Sequence, residues 1–332
     1  MSRFGPFPDP SHLLTDDEAA SAFATMLDGG ASDEHIAEFL SALSDRGETM
    51  IEIAAAAQAM RDRLIPIEAP EGAIDVCGTG GDGHHTLNVS TAVAIVVAAC
   101  EVPVAKHGNR AASSKSGAAD TLEVLGLDME RASLLAEAQL ADLGICFLFA
   151  AHHHPAMKRI MPIRKALGRR TIFNLMGPLA NPARVTRQLI GIARPAYVPV
   201  YAEALHRLGT EHSRVISGDE GIDELSLAGG NEVAVITPDG VRMQRSHAAD
   251  AGLPTRAIAE IRGGDAAFNA KALRALLQGE PGAYRDAVLY NAAEALVVAG
   301  TVDNLIDGVE EAAEAIDKGL ANALLNCWIS YK

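Results

Sequence analysis

Residues 75–91 read DVCGTGGDGHHTLNVST. Four glycines, Gly78, Gly80, Gly81 and Gly83, fall within six positions after a short apolar run, 74–77, and a long apolar run opens at Val89. A strand, a glycine-rich turn and a helix beginning near Ser90 make the first step of an α/β unit. The same parts form an anion site, because glycines let backbone N–H groups close on a ligand and a helix N-terminus adds partial positive charge. Phosphate or diphosphate is the natural guest. A P-loop would need a lysine before Ser or Thr at the loop's end, and none is present. The dinucleotide pattern GxGxxG fits Gly78-Thr-Gly80-Gly-Asp-Gly83 but is weak alone, and a plain tight turn also accounts for the loop taken by itself. Asn88, Ser90 and Thr91 are ordinary cap residue types, although a hydroxyl there can also bind phosphate or a metal. Asp82 makes sense in such a loop when a cation or a sugar hydroxyl shares the site.

Outward from this stretch, short apolar strands alternate with helices. Candidate strands are 74–77, 102–106, 145–150, 188–193, 214–217 and 232–237, with helices of ten or more residues between most of them. The segments 233–237 and 241–244, joined by Pro238-Asp239-Gly240, form a β-hairpin, so one antiparallel element is expected at an edge or end of the sheet. The first 65 or so residues read as helices only. Thr15 with Glu18 and Thr49 with Glu52 are capping boxes, and Gly29, Gly30 and Gly47 punctuate the ends. The fold class is α/β: a small N-terminal all-α domain, 1–70, joined by a middle helical segment at about 155–185, and a large α/β domain, 71–332, with a mainly parallel sheet.

The chain has 332 residues, 48% of them hydrophobic, enough for a large buried core. Its 28 basic and 43 acidic residues leave a net charge of −15, which repels polyanions. Nucleic acid and anionic membrane are thus poor partners, and an anionic small molecule needs a local cluster of donors, cations or metal. Cys77, Cys100, Cys146 and Cys327 form no CxxC pair and read as buried reduced thiols. With no signal pattern and no apolar run near the ~20 residues that span a bilayer, a cytoplasmic protein is expected.

Four further stretches carry chemistry. Residues 106–117, KHGNRAASSKSG, leave a neighbouring strand end and set three cations and three serines against the acidic background. Lys106 is a point charge and Arg110 a fork for phosphate, and two donor-rich loops at adjacent strand ends describe one ligand with two phosphate groups. Asp223-Glu224, in a loop after the strand 214–217, can share a hydrated Mg²⁺; Asp219-Glu220 is equally acidic, and spacing does not choose between the pairs. His152-His153-His154 cannot all face one ion, so zinc is not expected, although one of them can line a pocket. Arg164, within the helix 157–167, can pair with a substrate carboxylate; a surface arginine is the plain alternative.

Taken together, DVCGTGGDG…TLNVSTA, KHGNRAASSKSGAADTLEVLG, FLFAAHHHPAMKRIMPIRKALGRRTIFNLMGPLANP and GIDELS resemble, in order and over essentially the whole chain, the anthranilate phosphoribosyltransferase family. These enzymes of tryptophan biosynthesis join anthranilate to 5-phosphoribosyl 1-diphosphate (PRPP) and release diphosphate. The resemblance implies a pyrimidine nucleoside phosphorylase-like fold and a homodimer paired through the helical domains. It places PRPP contacts on Gly78, Gly81, Asp82, Thr86, Asn88, Val89, Ser90, Thr91, Lys106, His107, Gly108, Asn109, Arg110, Ala111, Ala112, Ser113, Ser114 and Ala118. Mg²⁺ ligands fall on Ser90, Asp223 and Glu224, leaving Asp219-Glu220 as bystanders. Anthranilate contacts fall on Gly78, Asn109 and Arg164, with His107, His154 and Pro178 as pocket neighbours. No residue is implied as a general acid or base; Arg164 and Asn109 orient the substrate. His84-His85 stand where smaller residues are usual, Ala118 where serine is common and Ala151 where proline is frequent. The rival readings are a pyrimidine-type nucleoside phosphorylase and a nucleic-acid-binding paralogue without this activity.

Overall fold

Alternate side chains along the strands enter different apolar clusters. Ile74, Val76, Phe147, Leu189, Ile216, Val233 and Val235 join one cluster, while Ile190, Val215, Ala234 and Ile236 join a second and Ala105, Cys146 and Leu148 a third. A period of two thus buries both faces of the sheet, as a parallel sheet requires. The computed structural model describes residues 3–111 and 115–332; Ala112, Ser113 and Ser114, three of the expected PRPP contacts, lie outside the described residues.

The strands are β1 (Ile74–Gly78), β2 (Val104–Gly108), β3 (Ile145–Phe149), β4 (Arg187–Gly191), β5 (His212–Gly218), β6 (Gly230–Thr237) and β7 (Gly240–His247). Among the described residues they form one sheet in the order β3-β2-β1-β4-β5-β6-β7. β1 to β5 run parallel, and β6 and β7 add an antiparallel hairpin at the edge. The chain moves one way from β1 to β3 and the other way from β4 onward, so the strand order reverses between β1 and β4. Open α/β sheets bind ligands beyond the carboxyl ends of the strands at such a point. Here those ends are Gly78 and Gly191, which are register partners.

The helices follow the sequence signals closely. α1 (Asp16–Leu27), α2 (Asp33–Arg46) and α3 (Met50–Arg61) open the chain, and both expected capping boxes close. Helix α4 (Val89–Ala99) follows β1; α5 (Ala118–Leu125), α6 (Met129–Leu134) and α7 (Ala136–Leu143) join β2 to β3. Between β3 and β4 come α8 (Ala150–His153), α9 (Met157–Leu167) and α10 (Met176–Leu179), and α11 (Val198–Arg207) leads to β5. After the sheet come α12 (Ala266–Leu277), α13 (Ala283–Ala299), α14 (Leu305–Asp317) and α15 (Leu320–Ser330). Helix α4 is apolar nearly all round because the sheet, α13, α14 and α15 enclose it. Ile160, Ile163, Ile172 and Phe173 of the middle segment pack among α1 to α3, and that core runs on through Val198, Tyr201 and Ala202 of α11 to β4, β5 and β6.

The cysteines depart from expectation. All four are free, but only Cys77 and Cys146 are buried; Cys100 is partly buried and Cys327, on the outer side of α15, is exposed. Among the described residues no helix is long and apolar enough to cross a membrane.

Candidate active site

The segment after β5 crosses the ends of β4 and β1 at very close range. A Cβ on Gly191 would lie 1.7 Å from the Asp223 carbonyl oxygen, and one on Gly78 would lie 2.2 Å from Asp223 Oδ2. No larger residue fits beneath this crossing, which accounts for the first glycine of the loop. Gly80, Gly81 and Gly83 have φ of 68°, 78° and 77°, in the left-handed region that favours glycine. A Cβ there would meet nothing within 4 Å, so the loop lies beside open space.

The crossing brings the acidic pair to the glycine loop and to the head of α4. Asp223 Oδ2 accepts the Gly80 N–H at 2.7 Å, and Glu224 Oε1 accepts the Ser90 N–H at 3.1 Å. Burial raises the Asp223 carboxyl to about 6, with the Asp82 charge adding to the effect and the Gly80 N–H opposing it. Glu224 is pushed well above the usual carboxylate range by burial and then by Asp223, against the pull of Lys106. Asp82 Oδ2 is sealed from solvent without a hydrogen-bond partner. Three acids converge, and Lys106 is the cation that offsets Glu224. Asp219 and Glu220 are exposed, and Asp219 pairs with Arg245; the geometry separates the two acidic pairs that spacing could not.

Lys106 is buried, and its Nζ donates to Val76 O at 2.7 Å and to Ser90 Oγ at 3.3 Å. Its charge sits beneath the cradle, between Asp75 and Glu224, rather than at an open phosphate position. Arg110 also differs from the expected fork: its guanidinium pairs with Asp120 and Glu123 of α5 and lies over the Phe149 ring. Asp120 Oδ2 also accepts the Ala111 and Gly117 N–H groups, closing the turn before Ala118. Asn109 is exposed, with Oδ1 accepting the Arg110 N–H at 2.8 Å.

A second wall comes from the middle segment. His107 Nδ1–H donates to Gly177 O at 2.8 Å, and its Nε2 lies 3.2 Å from His154 Nε2. Burial lowers His107 to about 3, with the neighbouring His154 adding to it, and lowers His154 to about 4. The other two imidazoles face elsewhere: His152 Nδ1 meets Ser133 Oγ, and His153 Nδ1 meets Ile65 O. Arg164 NH2 donates to Asn174 Oδ1 at 3.2 Å, and its NH1 reaches Met161 Sδ at 3.6 Å. Burial lowers its pKa, and among the described residues no carboxylate pairs with it. Pro178 O accepts from Gln188 Nε2, which ties this segment to β4.

Several structural residues escaped the sequence reading. Asp75 is fully buried: it accepts from the His107 N–H, Asn181 Nδ2 and the Cys77 thiol, and burial raises its pKa. Asn181, from NLMGPLANP, also donates to Ala105 O and so fastens the middle segment to β1 and β2. Of the two histidines in the loop, His84 Nε2 lies 3.0 Å from Glu220 O, which links the glycine loop to the loop after β5. His85 adopts φ 54°, and its carbonyl accepts the Gly263 N–H.

Among the described residues, no group of three or more His, Cys, Asp or Glu side chains forms a ready-made metal cluster. Two carboxylates and a hydroxyl, with a third acid carrying an orphaned oxygen, nonetheless suit a hard cation that completes its shell with water and substrate phosphate.

The strand-order reversal and the glycine-rich cradle place a ligand crevice here, and the class of protein, a glycosyl transferase, comes from the family that the chain matches. The model of a glycosyl transferase family's helical bundle domain matches residues 11–64, and the model of its a/b domain matches residues 70–322. The chain belongs to the anthranilate phosphoribosyltransferase family. It is 88% identical, over its full length and that of the relative, to the anthranilate phosphoribosyltransferase of Sphingopyxis alaskensis. It is 73% identical to that of Novosphingobium aromaticivorans, with 97% of this chain and 98% of the relative covered. The solved anthranilate phosphoribosyltransferase of Thermus thermophilus superposes with a TM-score of 0.88 at 40% identity, covering 96% of each chain. The Saccharomyces cerevisiae enzyme in complex with PRPP and Mg superposes with a TM-score of 0.86 at 28% identity, covering 95% of this chain and 93% of that one.

Proposed function

We propose that the crevice beyond β1, β2 and β4 holds PRPP and anthranilate and joins the anthranilate amine to C1 of the ribose. The C1–N bond forms as the C1–O bond to diphosphate breaks, the bonding pair leaves with the diphosphate, and the proton of the amine passes to the released diphosphate or to solvent. The observation that carries this reading is the gathering of Asp82, Asp223 and Glu224 beside Lys106, at a glycine loop and the head of α4. Acids in an anion cradle make chemical sense when a cation joins them to the anion. Asp223, Glu224 and Ser90 are the residues that would hold Mg²⁺, which when bound neutralises charge building on the departing diphosphate.

The chain's own groups do the rest. Asp223 and Glu224 take the Gly80 and Ser90 N–H groups; the other N–H groups of the glycine loop and the α4 N-terminus are left for the anion, and Lys106 sets a fixed positive charge below it. Arg164, a cation without an acid partner among the described residues, suits the anthranilate carboxylate, and Asn109 orients the ring so that nitrogen meets C1. The neutral amine needs positioning more than a strong base. Closure of the helical unit, with its middle segment, over the α/β unit excludes water that would otherwise compete as nucleophile. The reading includes a cytoplasmic homodimer paired through the helical unit, with no nucleic-acid partner, in keeping with the net charge of −15. The direct test is loss of anthranilate fluorescence when purified protein, PRPP and Mg²⁺ are mixed; an unchanged signal sinks the reading.

Arg164→Ala is expected to raise the anthranilate KM by about 10- to 100-fold, the usual worth of a hydrogen-bonded charge pair, with a smaller effect on the PRPP KM. Steady-state kinetics in both substrates check this, and equal damage to the two constants removes the assigned role.

A second expectation concerns pH. Asp223 rises from 3.8 to about 6, so between those values the folded chain keeps a proton that the unfolded chain has lost. The ligand-free protein therefore loses this contribution to stability as pH rises through that window. Mg²⁺ must displace the same proton, so its stabilising effect should be small at pH 5 and grow above about 6. Thermal unfolding with and without Mg²⁺ across this range measures it, and a pH-independent shift contradicts it.

A further inference from the structure

Asn88 occupies the N-cap position of α4, yet its side chain makes no cap hydrogen bond. The amide oxygen is engaged elsewhere: Oδ1 accepts from Thr121 Oγ1 at 2.6 Å and from Asn269 Nδ2 at 2.9 Å. Both donors are buried, Thr121 at 0% and Asn269 at 2% exposure. The direction of these bonds is fixed by the next ones along. Asn269 Oδ1 accepts the Gly264 N–H at 2.8 Å, so the nitrogen end of that carboxamide must face Asn88. Thr121 Oγ1 lies 2.8 Å from Ser116 Oγ, which can supply the hydrogen that the Thr121 hydroxyl accepts while it donates to Asn88. Tyr284 OH donates to the Asn88 carbonyl at 3.0 Å and holds the backbone as well. Asn88 Nδ2 is left with no acceptor among the described residues, and it is not among the atoms sealed from solvent.

We propose that Asn269 is a positioning residue for the transfer reaction: with Thr121 it fixes the Asn88 carboxamide so that its two N–H groups, and not its oxygen, face the diphosphate ester. This rests on the reading that the crevice holds PRPP. An unheld carboxamide can present either end, and its oxygen end repels an anion. A helix contributed from beyond the sheet, α12, thereby sets the polarity of a donor in the cradle.

The test is a double-mutant cycle read in PRPP KM. Asn269→Asp keeps the shape and the acceptor for Gly264, but it sets an ionised oxygen against Asn88 Oδ1, which turning the Asn88 carboxamide over relieves. The expected result is a rise of about tenfold or more in PRPP KM, with the anthranilate KM little changed. In an Asn88→Ala background the same substitution should have almost no effect on PRPP KM, because the group it acts through is gone. An unchanged PRPP KM in the single variant overturns the proposal, as does an equal effect in both backgrounds, which would mark a simple charge effect. Should Asn269→Asp fail to fold, Thr121→Val goes through the same cycle: a severalfold rise that vanishes with Asn88→Ala supports the proposal, and a rise that persists overturns it. Wild-type turnover is measured alongside. Its absence sinks the reading of the site itself, whereas an active wild type with independent variant effects sinks the positioning role alone.

Discussion

Replacing both acids of the crossing segment by their amides, Asp223→Asn with Glu224→Gln, is expected to lower kcat on the order of 10³-fold or more while leaving the protein folded, since single electrostatic groups at such centres are commonly worth 10²- to 10³-fold. The amides are close in shape, and each keeps an oxygen for the Gly80 and Ser90 N–H groups that now reach Asp223 and Glu224. Burial and mutual repulsion already oppose ionisation of both carboxyls. Removing them should therefore hold or raise the unfolding midpoint at neutral pH without metal. Loss of activity together with undiminished stability is the signature of groups kept for the reaction. Initial rates and thermal unfolding measure it, and a fully active double variant removes the metal assignment.

Gly191→Ala should be almost as damaging to activity, by a different route. The added carbon would lie 1.7 Å from the Asp223 carbonyl oxygen and 2.5 Å from its carbon, both backbone atoms that cannot rotate away. Either β4 or the crossing segment must move, and overpacking of this kind costs about 1–3 kcal/mol and occasionally more. Because the segment carries both acids, its displacement should cut turnover by about 100-fold, in line with the sensitivity of reacting centres to shifts near 1 Å. Activity and the denaturation midpoint should fall together, in contrast to the amide pair; wild-type rates in Gly191→Ala would show that the segment relocates freely.

These two substitutions mark what local sequence could and could not reveal. The βα start at β1 and α4 was legible because its signals are adjacent: an apolar run, glycines, then a longer apolar run. The hairpin of β6 and β7 and the capping boxes at Thr15 and Thr49 were legible for the same reason. Gly191 gave no such signal, because its demand comes from Asp223, a neighbour only after β5 is laid beside β4. Asn88 read as an ordinary cap, and the tertiary donors Thr121 and Asn269 drew its side chain away from the helix. Arg110 read as a phosphate fork because the acids that take it, Asp120 and Glu123, lie one helix further on. Cys327 was expected inside on residue type alone, and the face of α15 decided otherwise.

The joined imidazoles of His107 and His154 bear on how the enzyme's pH profile is to be assigned. With burial holding one to about 3 and the other to about 4, neither ring changes charge between pH 5 and 8. An acidic limb in kcat/KM near pH 6 is therefore expected to follow Asp223 of the proposed site and not these two imidazoles, although histidine is the residue such a limb usually brings to mind. His107→Asn should leave the midpoint of that limb in place, whatever it does to the rate, and a displaced midpoint would return the assignment to the imidazole. On the proposed placement of the substrates the imidazole wall is in this sense electrically silent, and a proton taken up by Asp223 in acid acts on the leaving-group side.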